Sequence, residues 1–384
     1  MPESSPTAPP PARARPRELG VRIGLMPPGP RNAISDVAGV QVGHATVWTD
    51  GPRGVARTGV SVIAPDDPAG MFAAPLPAGG SVLNGAGEVI GLTAIREWGL
   101  IETPILLTSS MAIGRAYDAA VERLVAAIPS AGIDDALMPV VGECDDGWLS
   151  ASRSVRLSAT DVDRAFDALS PEVKGGVIGA GTGMVSHDLK GGIGTASRLV
   201  TPSPRHEGDA AAERYTVGVL ALTNQGRLPR LTIDGVPVGA ALLRDGWTVG
   251  DGAAERPRER GSCIVVVATD APLLSPQLNR LARRCGLGLA RAGSTAGHGS
   301  GEIFLAFSTG LRLSRGAPLL RTTTVLDDAW LDELFAAAIE ATEEAVIDSL
   351  FRADSVTGRD GHVAEALPIH ETIELLARAG RLAD

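Results

Sequence analysis

The sequence predicts a mixed α/β (α+β) protein in which stacked β-sheets carry helical outer layers. Strands and helices alternate only loosely along the chain, and several strand-like runs are joined directly by turn residues, which a purely parallel sheet does not allow. Aromatic residues make up only 3% of the 384 residues, while glycine (47) and alanine are abundant, so close backbone approach and tight turns replace a bulky aromatic core. The length allows one large domain or two smaller ones, and no internal repeat is evident.

Taken in order, residues 1–17 are rich in Pro, Ser and Ala without an apolar h-region, and read as a disordered lead rather than a secretory signal. Residues 36–44 read as a turn and strand, with His44 a structural histidine at the strand end, and 60–64 as a second strand. A short helix is expected over 88–98, then a strand over 101–108 interrupted by Pro104. An amphipathic helix over 114–128 has Tyr117, Val121, Leu124 and Ile128 at helical spacing. A brief strand at 139–141 runs into Gly142-Glu143-Cys144-Asp145-Asp146-Gly147-Trp148. The three carboxylates there cannot all be buried cheaply, so this loop is either solvated or gathers a cation. Thr160 reads as the N-cap of a helix to Leu169.

The glycine-rich segment 175–197 contains Gly179-Ala180-Gly181-Thr182-Gly183. A dinucleotide fingerprint needs such glycines to open a helix, and the polar residues and further glycines around Lys190 cannot sustain one. A buried strand over 215–223 ends at Asn224-Gln225-Gly226, where Asn224 is either a turn former or an amide aimed into a site. Asp234-Gly235 marks a hairpin, and residues 244–260 read as an exposed polar loop of the kind that tolerates cutting. A strand over 262–269 is followed by a helix over 275–291 with Leu278, Leu281, Cys285 and Leu289 on one face. Next come a glycine-rich stretch (293–302), a strand over 303–308, and helices over 327–351 and 368–379.

Several function classes are excluded. The formal charge of −10 disfavours a nucleic-acid partner, and the arginine-rich pieces (13–17, 256–260, 280–284) are short and read as solvated faces. No stretch approaches the roughly 20 apolar residues of a membrane span. Cys144, Cys263 and Cys285 form no CxxC pair and fit reduced thiols in a cytoplasmic protein. No HExxH or comparable cluster calls for a metal.

The stretch that carries chemistry begins where the polar loop stops at Gly261 and a β-branched run opens with Ser262-Cys263-Ile264-Val265-Val266-Val267. Ser262 is either a serine at a strand start or, if the Gly261–Ser262 bond is cut, a nucleophile carrying its own free amine. An α-amine, with a pKa of about 7.7–8.0, is suited to act as its base. Among the six histidines there is no G-x-S-x-G elbow or local triad signature to supply another.

Gly261 to Leu274, with Gly293-Ser294-Thr295-Ala296-Gly297-His298-Gly299-Ser300-Gly301-Glu302, closely resembles the self-processing DmpA-type aminopeptidases, the D-aminopeptidase/D-amidase and β-peptidyl aminopeptidase group. The resemblance continues through residues 34–46, Gly142-Glu143 with Asp146-Gly147-Trp148, residues 190–198 and Leu222-Thr223-Asn224, covering roughly 18–378. It implies a four-layer αββα sandwich, as in ornithine acetyltransferase, forming a single catalytic domain over 18–384. It further implies autocatalytic cleavage into an α-chain, 1–261, and a β-chain, 262–384, that stay together. Ser262 would be the nucleophile, Ser300 and Glu302 the pair that positions and polarises its amine and hydroxyl, and Asn224 the oxyanion donor. Glu143 would receive the substrate's amino group. Substrates would be small peptides, aminoacyl amides or esters of L-, D- or β-residues, with no cofactor and no metal, in a homo-oligomer. Cys144 and Asp145 depart from the family's usual Thr followed by Tyr or Asn, and Asp145 adds negative charge near the pocket.

Two rivals share the fold: an ornithine acetyltransferase-like acyltransferase and a nylon-oligomer hydrolase-like amidase. Both favour threonine where this chain has Ser262. An unprocessed, non-catalytic binding protein is the alternative from a different class.

Overall fold

The computed structural model describes residues 13–133, 135–201, 214–249, 260–316 and 320–383. In chain order, β1 (Gln41–Gly51) and β2 (Gly54–Ala64) form a hairpin. They are followed by α1 (Pro68–Ala73), β3 (Leu76–Gly85), β4 (Val89–Ile90), α2 (Leu92–Trp98), β5 (Leu100–Ile101), β6 (Ile105–Ser109), α3 (Ile113–Ala127), β7 (Val140–Cys144) and α4 (Ala159–Asp167). Next come β8 (Val185–Ser186), β9 (Leu189–Lys190), β10 (Gly192–Val200), β11 (Tyr215–Asn224) and α5 (Val238–Arg244). The chain closes with β12 (Arg260–Thr269), α6 (Ser275–Arg291), β13 (Gly299–Ser308), α7 (Leu331–Phe351), β14 (Val356–Thr357), β15 (Val363–Ala364) and α8 (Ile369–Arg378).

Two mixed sheets result, a five-stranded one in the order β1-β2-β6-β7-β4 and a six-stranded one in the order β10-β11-β12-β13-β3-β5. Only the β6–β7 and β12–β13 pairs within them are parallel. One apolar core, including Ile105, Leu107, Leu220, Ile264 and Val266, lies between the sheets. A second packs the outer face of the larger sheet, with Cys263, Val265 and Val267, against α6 and α7. A third packs the smaller sheet against α3 and α4. The expected αββα sandwich is therefore present. Strands whose two faces both meet apolar layers read as continuous hydrophobic runs, as residues 262–269 do. The tightest layer contact is at Gly194 on β10, where a Cβ would sit 1.8 Å from the Ala345 carbonyl of α7.

Several boundaries move. The helix expected over 88–98 starts only at Leu92, because Val89–Ile90 pairs with β7. The N-cap of α4 is Ser158 rather than Thr160: its hydroxyl accepts the Asp161 N–H while the Asp161 carboxylate accepts the Ser158 N–H. The Asp234-Gly235 hairpin reduces to the isolated Ile233–Val236 bridge, with positive φ at both turn residues. Of the exposed loop expected over 244–260, residues 250–259 lie outside the described residues.

The lead also needs correction. Residues 1–12 lie outside the described residues, but 13–17 dock onto the body. The Arg15 guanidinium bonds the Asp348 carboxylate (2.9 Å) and the carbonyls of Arg31, Asn32 and Thr195 at 2.7–2.8 Å. Arg17 pairs with Glu344 at 2.6 Å, and Glu344 also pairs with the fully buried Arg198 at 2.6 Å. These arginines read as solvated because their acidic partners lie on α7, more than 300 residues away in sequence. Arg15→Ala strips a buried carboxylate of its main partner. It is expected to cost about 3 kcal/mol, measured as a lowered urea midpoint with an unchanged m-value.

Candidate active site

Ser262 stands at the head of β12, with Gly261 and Arg260 already in the strand. It pairs with Asn224 of β11 on one side and Gly301 of β13 on the other. Side chains alternate across a strand and directly paired residues share a face, so Ser262 and Asn224 point between the sheets. Ser300 and Glu302, flanking Gly301, share the opposite face with Phe304 and Ala306, toward α6 and α7. The backbone is close-packed here, since a Cβ on Gly261 would lie 2.7 Å from the Asn224 carbonyl.

The Gly261–Ser262 peptide thus separates two hollows. On the inter-sheet side is a cleft of about 600 Å³ lined by Ser262, Asn224, Glu143, Ser110, Trp148 and Arg359, among others. On the helix side is a small hollow of about 30 Å³ where Ser300 and Glu302 meet Gly261, Arg227 and the 294–297 loop. Gly261 borders both. The structure therefore brings Ser262, Asn224 and Glu143 together in one cleft, with Ser300 and Glu302 on the other side of the bond. While that bond is intact, no hydrogen bond links Ser300 or Glu302 to the Ser262 hydroxyl among the described residues.

Ser300 Oγ donates a short hydrogen bond to Glu302 Oε1, and Glu302 Oε2 is buried without a protein partner. Burial raises the Glu302 pKa, opposed by the Ser300 bond and by the neighbouring Asn84 amide, which approaches it without meeting hydrogen-bond geometry. Asn84, cross-strand from Glu302, anchors the glycine-rich loop by donating to the Gly297 carbonyl at 2.6 Å.

Asn224 is held at both ends of its amide. Its Oδ1 accepts the Val185 N–H at 2.9 Å and its Nδ2 donates to the Asp145 carbonyl at 2.9 Å, which leaves the second Nδ2 hydrogen for a ligand. The Val185 N–H belongs to the same peptide as the Met184 carbonyl, which accepts from Lys190 Nζ at 2.8 Å. The Lys190 ammonium also donates to Gly181 O (3.0 Å) and Gly191 O (2.7 Å), and its burial pushes the pKa down to about 7. Sequence reasoning passed over this role. The available signal was that Lys174 and Lys190 are the only lysines among 35 basic residues.

The acidic loop resolves into three different environments. Glu143 lies on β7, which extends three residues beyond the expected strand. It accepts the Glu88 N–H at 2.9 Å on Oε1 and a short hydrogen bond from Ser110 on Oε2. Burial raises its pKa, opposed by those two bonds and reinforced by Asp145. Asp145 is exposed and caps the Gly147 N–H at 2.9 Å. Asp146 is buried, which pushes its pKa up to about 7. Among the described residues no group of three or more His, Cys, Asp or Glu is placed to hold a metal ion, so the loop does not gather a cation that way. Cys144 and Cys263 are buried and their thiol pKa values are driven well above the usual range, so neither is a ready nucleophile. His44 bonds Ser61 Oγ at 2.8 Å, and burial lowers its pKa to about 4, the neutral structural role expected of it.

A four-layer αββα sandwich with a serine directly after a glycine at the head of a central strand defines a hydrolase of the N-terminal-nucleophile class. The profile of peptidase family S58 matches residues 32–364. The β-peptidyl aminopeptidase BapA of Sphingosinicella xenopeptidilytica is 37% identical over 96% of this chain and 92% of its own length. The solved structure of the L-aminopeptidase D-Ala-esterase/amidase of Ochrobactrum anthropi superposes with a TM-score of 0.86 at 35% identity, over 96% of this chain and 99% of that one. A Burkholderia sp. β-aminopeptidase gives 0.84 at 39% identity, with the same coverage of both chains. The chain belongs to peptidase family S58 and is a self-processing serine aminopeptidase acting on peptide or amide bonds.

The raised Asp146 pKa has a stability consequence. Between the unfolded value near 4 and the folded value near 7 the native state binds the extra proton, so this stabilisation is full below pH 4 and is lost as pH rises through 7. Asp146→Asn is expected to raise Tm by about 2 °C or more at pH 8, with the gain shrinking toward pH 4, as read by calorimetry across that range.

Proposed function

We propose that Ser262 carries both self-cleavage and turnover, and that the pleat of β12 divides the labour between the two hollows. In the precursor, Ser262 Oγ attacks the Gly261 carbonyl carbon, the C–N bond breaks as the nitrogen takes a proton, and water hydrolyses the resulting ester. Gly261 ends as a carboxylate and Ser262 as a free amine with a free hydroxyl. That amine emerges beside Ser300 and Glu302, which hold and polarise it. In the mature enzyme it accepts the Ser262 hydroxyl proton as Oγ attacks the substrate carbonyl, and returns it to the departing amine. A second water cleaves the acyl-enzyme.

Asn224 supplies the oxyanion donor, since its orientation is locked by the Val185 N–H and one amide hydrogen remains free. Such a donor in a desolvated site is worth about 2.7–4 kcal/mol of transition-state stabilisation. Glu143 receives the substrate's ammonium, and that charge replaces the water its buried carboxylate has lost. The observation that carries the reading is that Ser262, Asn224 and Glu143 share one cleft while Ser300 and Glu302 share the face under the scissile bond. The substrates we propose are small peptides, aminoacyl amides or esters with a free amino group, of L-, D- or β-configured residues. The three buried free cysteines suit a reducing compartment such as the cytoplasm, and the acidic net charge disfavours a nucleic-acid partner. The homo-oligomer and the absence of a membrane partner are proposed from the likeness to the family alone.

Ser262→Ala is expected to leave a single full-length chain on a denaturing gel and to abolish turnover. The parent protein should yield two pieces, with serine at the new N-terminus by intact-mass analysis. Retained peptidase activity in the variant would move the nucleophile elsewhere. Glu143→Gln is expected to lower kcat/KM at least tenfold on free-amine substrates, and an equal loss on N-acylated analogues would remove Glu143 from amine recognition.

A further inference from the structure

The cleft contains a cation for which the reaction above has no use. Arg359 lines it at the turn between β14 and β15, beside Gly147 and Trp148. This turn is clamped to the rim. The Arg359 Nε donates to the Gly147 carbonyl at 2.7 Å, and its backbone N–H to the Leu149 carbonyl at 2.9 Å. A Cβ on Gly358 would sit 2.3 Å from that same Leu149 carbonyl, and Trp148 stacks on His362 at 3.8 Å. The guanidinium is therefore held in place, yet its charge is weakly spent. Its one ion pair among the described residues is with its sequence neighbour Asp360, at side-chain exposures of 38% and 67%, where water screens the attraction. Nη2 bonds no protein acceptor among the described residues.

The order of groups across the cleft says what this cation is for. Glu143 meets the cleft beside β3 and β13: a Cβ on Gly87 would lie 3.2 Å from its Oε1 and 3.4 Å from the Gly301 Cα. Ser262 stands in the middle, on β12. Asn224 follows on β11 and bonds the Asp145 carbonyl, two residues before the Gly147 that holds Arg359. Carboxylate and guanidinium thus flank the nucleophile on opposite sides. With the substrate's ammonium at Glu143 and its scissile carbonyl at Ser262, the leaving residue runs toward Arg359.

We infer that Arg359 binds the terminal carboxylate of the leaving residue. The favoured substrate class is then the short peptide free at both ends, above all the dipeptide, over the same compound amidated at its C-terminus. This rests on the assignment of Glu143 and Ser262 made above. A guanidinium edge matches a carboxylate in charge and in fork geometry. Asp145, the other charge at that end, is turned to its own loop through the Gly147 N–H and forms no ion pair with Arg359.

The test compares matched dipeptides with a free or an amidated C-terminus on the processed enzyme, at low salt and at high salt. The free acid is expected to be favoured about tenfold in kcat/KM, mainly through KM, with the preference shrinking at high salt. Because the amide has the less basic leaving amine, chemistry alone favours the amide, so a preference for the acid comes from binding. In Arg359→Gln the ratio should collapse to within about twofold, and Arg359→Lys should keep part of it. A parent enzyme that treats both forms alike or prefers the amide overturns the inference. So does an Arg359→Gln variant that lowers both activities with the ratio intact, the pattern a distorted rim would give. Failure of the processed enzyme to cleave either form would instead sink the parent reading of the site, and this inference with it.

Discussion

β12 hydrogen-bonds antiparallel to β11 and parallel to β13, and these two ladders decide which way every group near the Gly261–Ser262 bond points. A slip of one residue in either ladder would turn Ser262 toward the helices and expose Cys263 to the cleft. The slip is resisted by burial on both faces, since Ile264 and Val266 fill the inter-sheet core while Val265 and Val267 fill the helix-facing one. The chemistry is therefore positioned by the same alternation that packs the core. Within one strand, Ser262 faces the larger cleft while Ser300 and Glu302 of its neighbour face the other hollow, the division on which the proposed mechanism rests.

Around this strand the molecule tolerates an unusual amount of buried charge. Arg198 pairs with Glu340 and Glu344, Arg17 also reaches Glu344, and Arg15 and Arg352 serve Asp348, so removing one partner leaves another stranded. Lys190 is different, since only backbone carbonyls receive it. Its ammonium holds the Met184–Val185 peptide, and that peptide orients the Asn224 amide, so the desolvation cost of burying Lys190 falls beside the proposed oxyanion donor. Glu143 on β7 and Asp146 just beyond it are both desolvated, but Glu143 keeps two donors and faces the cleft.

Much of this architecture was readable in the residues. The β-branched run after Ser262 and the leucine spacing of α6 named their elements and faces correctly because period and burial there agree. The four glycines of 293–301 read as a loop that includes Ser300 and Glu302, whereas β13 begins at Gly299. Parallel pairing with β12 overrides the local preference for a turn. The acidic stretch divides for a related reason, since charge density alone does not say that β7 carries Glu143 and Cys144 inward while Asp145 stays exposed. That Arg15 and Arg17 fold back onto α7 depends on contacts over 300 residues apart, which no local pattern encodes.

The order of strands in the larger sheet has a consequence for the life of the enzyme. With the cut proposed at Gly261–Ser262, reading β10-β11-β12-β13-β3-β5 across gives two strands of the N-terminal piece, then two of the C-terminal piece, then two more of the N-terminal piece. As a precursor the chain folds in a first-order process, with the central pair tethered to its neighbours. Once the bond is cut, a fully denatured enzyme can regain its sheet only if two separate molecules meet and the central pair enters between strands on both sides. Regain of the native state from two separated pieces is then second order in protein. A cut at that place leaves the precursor as the form that reaches this sheet without a bimolecular step.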